Sequence, residues 1–202
     1  MKNHTVKHKK IFPFSVFRFP SSGFTLMELL VVMAILGILV TVGLTSYKSV
    51  QAKSRDSKRK SDLKQIATAL EFYFNDYGTY PSDTNFQIYG CGTAGTSVCE
   101  WGSPFQTLKT GGTNVKTMYM PKLPSDPATG RVYYYDKTGT SPPSYQLYAR
   151  LENTQDNDIP HSGTTAQSYT GTNCSSGSTS LTCNYGVSSA NKTPEDGRTP
   201  LQ

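Results

Sequence analysis

Nineteen consecutive uncharged residues, Leu29 to Tyr47, follow directly on Gly23-Phe24-Thr25-Leu26-Met27-Glu28, and this run limits the possible folds more than any other feature. At about 1.5 Å of rise per residue it reaches roughly 29 Å as a helix, close to the hydrocarbon thickness of a bilayer. The segment upstream carries Lys2, Lys7, Lys9, Lys10 and Arg18 without an Asp or Glu. Such a bias keeps the N-terminus cytoplasmic and sends the chain beyond Tyr47 outward. An ordinary secretory signal is cut behind its apolar stretch, after small residues, and Ser46-Tyr47-Lys48-Ser49 matches that poorly. Glu28 puts a carboxylate in the first turns of an apolar helix, where an unpaired charge costs a few kcal/mol in lipid. Either it meets a cation, or it snorkels to the headgroups and gains only from the helix dipole.

The order basic leader, Gly23, Phe24, Thr25, Leu26, Met27, Glu28, apolar helix resembles the N-terminus of the type IV pilin and type II secretion pseudopilin family. The resemblance implies that a membrane-embedded aspartyl peptidase cuts after Gly23 on the cytoplasmic side and methylates the new amino terminus, Phe24. The apolar helix is then retained. Glu28 becomes the fifth residue of the mature chain, and its implied partner is the Phe24 amine of a neighbouring subunit, which sets the register of one helix beside the next. Many members of the family carry a proline where this chain has Thr45, so a proline-centred melted segment is not carried over. Gly37 and Gly43 are the positions where this helix can approach a neighbour closely or unwind.

Charge follows the same division. Of the formal +6, the five basic residues of the leader supply +5, leaving +1 for residues 24 to 202. The high pI therefore gives no argument for nucleic-acid binding by the mature chain. Residues 48 to 64 hold Lys48, Lys53, Arg55, Lys58, Arg59, Lys60 and Lys64 against Asp56 and Asp62, a net of +5, and residues 65 to 202 come to −3. This block reads as a solvated face or one that meets acidic surfaces of neighbouring subunits, with lipid contact and DNA as lesser alternatives. It lacks the interleaved aromatics of a single-strand platform.

No proline lies between Pro20 and Pro81, and Leu63, Ile66, Ala67, Leu70, Phe74 and Tyr77 form an apolar stripe at helical spacing. One helix is expected from Phe24 to about Asp76, 53 residues and roughly 80 Å long, stopped at Gly78 ahead of Pro81. Beyond Tyr80 the chain is rich in Gly, Thr, Ser and Tyr and reads as a small sheet. One strand is expected over Arg131 to Asp136 and another over Tyr145 to Glu152, joined by a loop from Lys137 to Pro143. Tyr145, Leu147, Ala149 and Leu151 form its clean apolar face, expected to cover the helix stripe. A further strand near Cys183 to Val187 is weakly signalled. The fold class is thus α+β, a long N-terminal helix packed on a small antiparallel sheet of the type IV pilin kind.

Leu123-Pro124-Ser125-Asp126-Pro127, with Gly130 and Tyr133-Tyr134-Tyr135 after it, is similar to the stretch that precedes the sheet in major pseudopilins and in many Gram-positive-type pilins. Its physical content is a stiffened turn that Asp126 caps through nearby amides. Asp156 and Asp158, flanking Asn157, are hard oxygen donors of the kind calcium takes, and major pseudopilins hold calcium near such a place. The competing reading is an ordinary acidic loop, and apart from that calcium no cofactor is expected. Cys91, Cys99, Cys174 and Cys183 all lie in the exported part, where disulfides are expected. Three pairings are open, and proximity favours Cys91 with Cys99 and Cys174 with Cys183. Zinc is disfavoured by the spacings of eight and nine and by His161 being the only histidine after the leader. In type IV pilins a C-terminal disulfide loop often forms an exposed surface, and the second pair resembles one.

No nucleophile elbow, P-loop or H-E-x-x-H occurs, His4 and His8 fall in the leader, and enzyme activity is not expected. The chain divides into a leader at 1–23, a membrane or filament-core helix at 24–47, its amphipathic continuation at 48–77, a head at 78–161, and a Ser/Thr/Gly-rich disulfide loop and flexible tail at 162–202. The resemblance implies a structural subunit that polymerises through its N-terminal helix into a type IV pilus-like filament. Implied partners are identical subunits, the prepilin peptidase, an inner-membrane assembly platform with its ATPase, and lipid before assembly. The place implied is the cytoplasmic membrane as a single pass, then the cell surface. Alternatives are a type II secretion pseudopilin, or a minor or tip subunit acting as adhesin or DNA receptor.

Overall fold

The structure, a computed structural model, describes residues 23–91, 95–108, 116–177, 179–198 and 200–201, and no side chains at 42–46, 107–108, 116 and 200–201. The leader residues before Gly23 and the side chains of Gly43 to Thr45 lie outside this description. The chain forms two compact units, one ending at Leu44 and one running from Thr45 onward.

Helix α1 runs from Leu26 to Tyr77. It begins where Thr25 caps it and ends where the Gly78 N–H meets the Phe74 carbonyl at 2.7 Å. In the first unit every described residue is exposed, Phe24, Leu26, Met27, Leu30 and Met33 among them. Among the described residues no helix is long and apolar enough to cross a membrane, and the side chains at 42 to 46 that complete the uncharged run are not among them.

In the second unit the helix stripe makes the core. Leu63, Ile66, Ala69 and Leu70 are buried against Tyr133, Tyr135, Tyr145, Leu147, Ala149 and Leu151. The strands in chain order are β1 (Asp83–Thr84), β2 (Gln87–Cys91), β3 (Ser97–Val98), β4 (Phe105–Leu108), β5 (Lys116–Met120), β6 (Tyr134–Thr140) and β7 (Pro143–Ala149). They continue as β8 (His161–Ser162), β9 (Thr165–Ala166), β10 (Ser168–Tyr169), β11 (Tyr185–Ser188) and β12 (Pro200–Leu201). The central sheet is antiparallel in the order β11-β7-β6, and β1-β2-β3 and the β4-β5 hairpin form small separate sheets.

Alternation along β6 and β7 sorts the tyrosines. Tyr135 pairs with Leu147 on the helix side, and Tyr134 pairs with Tyr148 on the other. The expected loop from Lys137 to Pro143 is mostly strand: β6 continues to Thr140 and β7 opens at Pro143, with Ser141-Pro142 as the turn. A register shift between Thr138 and Thr140 makes this work. Gly139 takes φ 71° there, and a Cβ would stand 2.8 Å from the Pro142 carbonyl oxygen, so the bulge needs glycine. The first strand also starts later than expected, because Val132 donates to the Cys174 carbonyl at 3.0 Å and Arg131 bridges to Ser175.

The face of the sheet away from α1 is buried too. Tyr134, Tyr148, Tyr169, Cys174 and Cys183 form a second cluster beneath the C-terminal segment. That segment reads from sequence as surface loop and flexible tail. In the structure it is tied down by backbone acceptors: the Tyr148 hydroxyl donates to the Pro194 carbonyl at 2.6 Å, and the Gln146 amide to those of Thr193 at 2.8 Å and Asp196 at 2.9 Å. Asn184 bridges Leu151, accepting its N–H at 2.7 Å and donating to its carbonyl at 3.2 Å. The disulfides join Cys91 to Cys99 and Cys174 to Cys183.

Candidate functional site

Gly23 and Phe24 precede the helix, exposed, and Phe24 keeps 86% of its surface open. Thr25 and Glu28 form a reciprocal cap. The Thr25 N–H and hydroxyl both donate to one Glu28 carboxylate oxygen at 2.9 Å, and the Glu28 N–H donates back to the Thr25 hydroxyl oxygen at 3.2 Å. Two of the helix's unpaired N-terminal donors are satisfied this way. Thr-x-x-Glu ahead of an apolar run is the sequence signal for such a cap, and here it is Thr25 and Glu28 that carry it. Phe24, Met27, Val31 and Val32 line a shallow apolar hollow with these two residues. A carboxylate therefore sits in a greasy surface with its local hydrogen bonds supplied by its own chain.

Three of the seven basic residues further along α1, Arg55, Arg59 and Lys60, are used differently from the sequence expectation of a solvated or subunit-facing patch. Arg59 is fully buried. Its guanidinium grips Asp126 through two bonds of 2.8 Å and spends its remaining nitrogen on Asp56 at 2.7 Å and Glu152 at 2.9 Å. Arg55 takes Glu152 in a second fork, 2.8 and 2.5 Å. Asp56 accepts the N–H groups of Glu152 and Asn153 between 2.8 and 3.0 Å. The helix, the turn at Asp126 and the end of the sheet are joined at one point. Burial alone would lower the Arg59 pKa, but the carboxylates of Asp126, Glu152 and Asp56 raise it, so the guanidinium stays charged. The Arg55 hydrogen bonds, helped by Arg59, hold Glu152 down at about 2 against its burial. Asp62 accepts from the Tyr133 hydroxyl at 2.7 Å, and burial followed by that bond pushes the phenol pKa up.

Asp126 caps its turn by accepting the Ala128 N–H at 2.8 Å, while its hold on Arg59 is a role the sequence did not signal. Asp156 and Asp158, the candidate calcium ligands, both close on the Lys60 ammonium at 2.6 Å. A lysine stands where the cation was expected, and among the described residues no cluster of His, Cys, Asp or Glu could hold a metal ion. His161 uses its ring nitrogens on the Ile159 and Thr154 carbonyl oxygens, at 2.7 and 2.9 Å. Of the block, Lys48, Lys53, Lys58 and Lys64 remain exposed, Lys58 at 3.7 Å from Asp62.

Comparison with known proteins puts these features in context. Residues 18–44 match the family described as the prokaryotic N-terminal methylation motif. The chain is 34% identical over 130 residues to the type II secretion system core protein G of Pseudomonas aeruginosa, 63% of this chain and 81% of that protein. It is 38% identical over 63 residues to the type IV major pilin protein PilA of Myxococcus xanthus, 31% of this chain and 29% of that protein. With the type IV major fimbrial protein FimA of Dichelobacter nodosus it shares 43% identity over 49 residues, 24% and 31% of the two chains. The chain thus spans less than a third of the two pilins and about four-fifths of core protein G. No solved structure matches it.

Proposed function

Because the chain belongs to the type IV pilin and type II secretion pseudopilin family, we propose that it is a structural subunit that polymerises through α1 into a type IV pilus-like filament. The observation that carries this is the pairing of an exposed apolar helix start with one acid: Leu26, Met27, Leu30 and Met33 are open, and Glu28 stands among them. Apolar surface of that kind demands lipid or protein cover.

In this reading the chain enters the cytoplasmic membrane with its N-terminus inside. The prepilin peptidase removes the leader after Gly23, and the Phe24 amine is methylated. The assembly platform and its ATPase then move the helix from lipid into a bundle of identical helices. Lipid is as apolar as the helix, so packing, close approach at Gly37 and polar pairing direct association. Glu28 exchanges the Thr25 contacts for the Phe24 amine of a neighbour, which replaces neutral donors by a charged one, and in a dry setting an ion pair of opposite charges attracts more strongly than a carboxylate and a neutral donor. Glu28→Ala should leave membrane insertion intact and cut the filament yield at least tenfold. Sheared-filament yield measured against total membrane-bound subunit reads this, and an unchanged yield contradicts the pairing.

A second reading, the secretion pseudopilus, is favoured by one observation. The 130-residue match to core protein G is too long for α1 alone and extends into the head, whereas the pilin matches are of a length that α1 and its flanks can contain. Deleting the chain separates the two: loss of surface filaments supports the pilus, and loss of exported proteins from the medium supports the pseudopilus.

A further inference from the structure

Asn85 and Phe86, which connect β1 to β2, both have positive φ, 51° and 60°. Two-residue turns of this kind favour Asn-Gly, and an aromatic residue at the second position is strained. Contacts from outside the turn hold it there. The Tyr135 N–H donates to the Phe86 carbonyl at 2.8 Å, and the Phe86 ring stacks on Tyr134 with centroids 4.4 Å apart and planes 16° from parallel. The residue nonetheless stays 47% exposed. An aromatic side chain is thus kept at a loop tip against its backbone preference and without being buried.

Beside it lies a cleft of about 270 Å³. Phe86 and Tyr134 bring their stacked rings to it, Tyr133 turns its own ring to the helix side toward Asp62, and Asn85, Gln87, Asn173, Ser175 and Ser176 add polar residues to the lining. None of these is charged. Arg198 lies over the Tyr134 ring at 5.1 Å, but it is paired with Asp136. The Asn173 side-chain oxygen Oδ1 already accepts the N–H groups of Ser175 and Leu181, each at 3.1 Å, which leaves its NH₂ as a donor. Asn85 and Gln87 add amides with both donor and acceptor capacity.

The lining selects its ligand by elimination. A phosphate backbone or acidic group needs unpaired Lys or Arg, and a purely apolar ligand would strand the amides. The volume falls just under the roughly 300–1,000 Å³ of small-molecule sites, room for one ring. A neutral sugar ring offers an aliphatic C–H face to the aromatic rings and vicinal hydroxyls to the amides. We propose that this cleft binds a neutral saccharide residue, with Phe86 as the stacking platform and Asn85, Gln87 and Asn173 as hydroxyl partners. The site is complete within one head, so binding is read on unassembled chain and stands apart from the filament reading.

Saturation-transfer difference NMR tests it, on the full chain in a detergent without a sugar headgroup, with glucose, galactose, mannose, N-acetylglucosamine and N-acetylgalactosamine as probes. At least one sugar should receive saturation on its ring protons. F86G, in which glycine suits the positive φ, should reduce that signal at least tenfold with no fall in melting temperature. If F86G proves unstable, Q87A, which lies outside the turn, should weaken the signal at least threefold. Silence from all five sugars overturns the proposal. So does a signal that the folded variants leave intact, or binding confined to sialic acid or a single-stranded oligonucleotide.

Discussion

At Arg59 a single fully buried guanidinium serves three carboxylates, of which Glu152 alone keeps some exposure. Removing a member of a buried ion cluster costs more than the pair is worth, because the remaining charges stay behind unpaired. Arg59→Ala should therefore lower the free energy of unfolding by about 3–5 kcal/mol, read from urea titration of the head's fluorescence, and a loss under about 1 kcal/mol contradicts the buried role. Glu152 gives the cluster a pH dependence. Its carboxyl is moved from an ordinary 4.5 to about 2, chiefly by the Arg55 hydrogen bonds. A folded pKa below the unfolded one means that the folded chain releases this proton more readily, so the contribution is complete above about pH 4.5 and disappears as pH falls toward 2. The melting temperature should decline across that window more steeply than in Glu152→Gln, and parallel curves contradict the assignment. A basic run in the sequence shows which residues are charged but not which acids the fold brings to them. The partners of Arg59 at Asp126 and Glu152 are 67 and 93 residues away, so this site was invisible before folding, whereas the Thr25 to Glu28 cap was written three residues apart.

Among the elements, β7 and β11 pair Tyr148 with Gly186, where a Cβ would stand 2.7 Å from the Tyr148 ring. Gly186→Ala should cost about 1–3 kcal/mol by overpacking and lower the melting temperature, and an unchanged melting point contradicts the packing of the second cluster. Elements with a long period were legible: Leu63, Ile66 and Leu70 repeat at helical spacing, and Tyr145, Leu147, Ala149 and Leu151 alternate, so helix and sheet face could be matched in advance. The β1-β2-β3 sheet and the β4-β5 hairpin were not, since strands of two to five residues carry too little alternation to stand out. The contacts of the C-terminal segment were hidden for another reason: they are hydrogen bonds such as Tyr148 to Pro194 and Gln146 to Thr193, and periodicity does not record them.

For the molecule as a whole, the proposal joins the family membership and the open apolar start of α1 in one process, in which the helix would be kept and would find its cover first in lipid and then in other copies. A chain cut behind its apolar run would release the head as a soluble protein with neither the Phe24 amine nor Glu28. The most direct test is the N-terminal sequence and intact mass of subunits sheared from the cell surface. A mature chain beginning at N-methylated Phe24, with residues 24 to 47 present, is the expected result; a chain beginning downstream of Tyr47 contradicts the account.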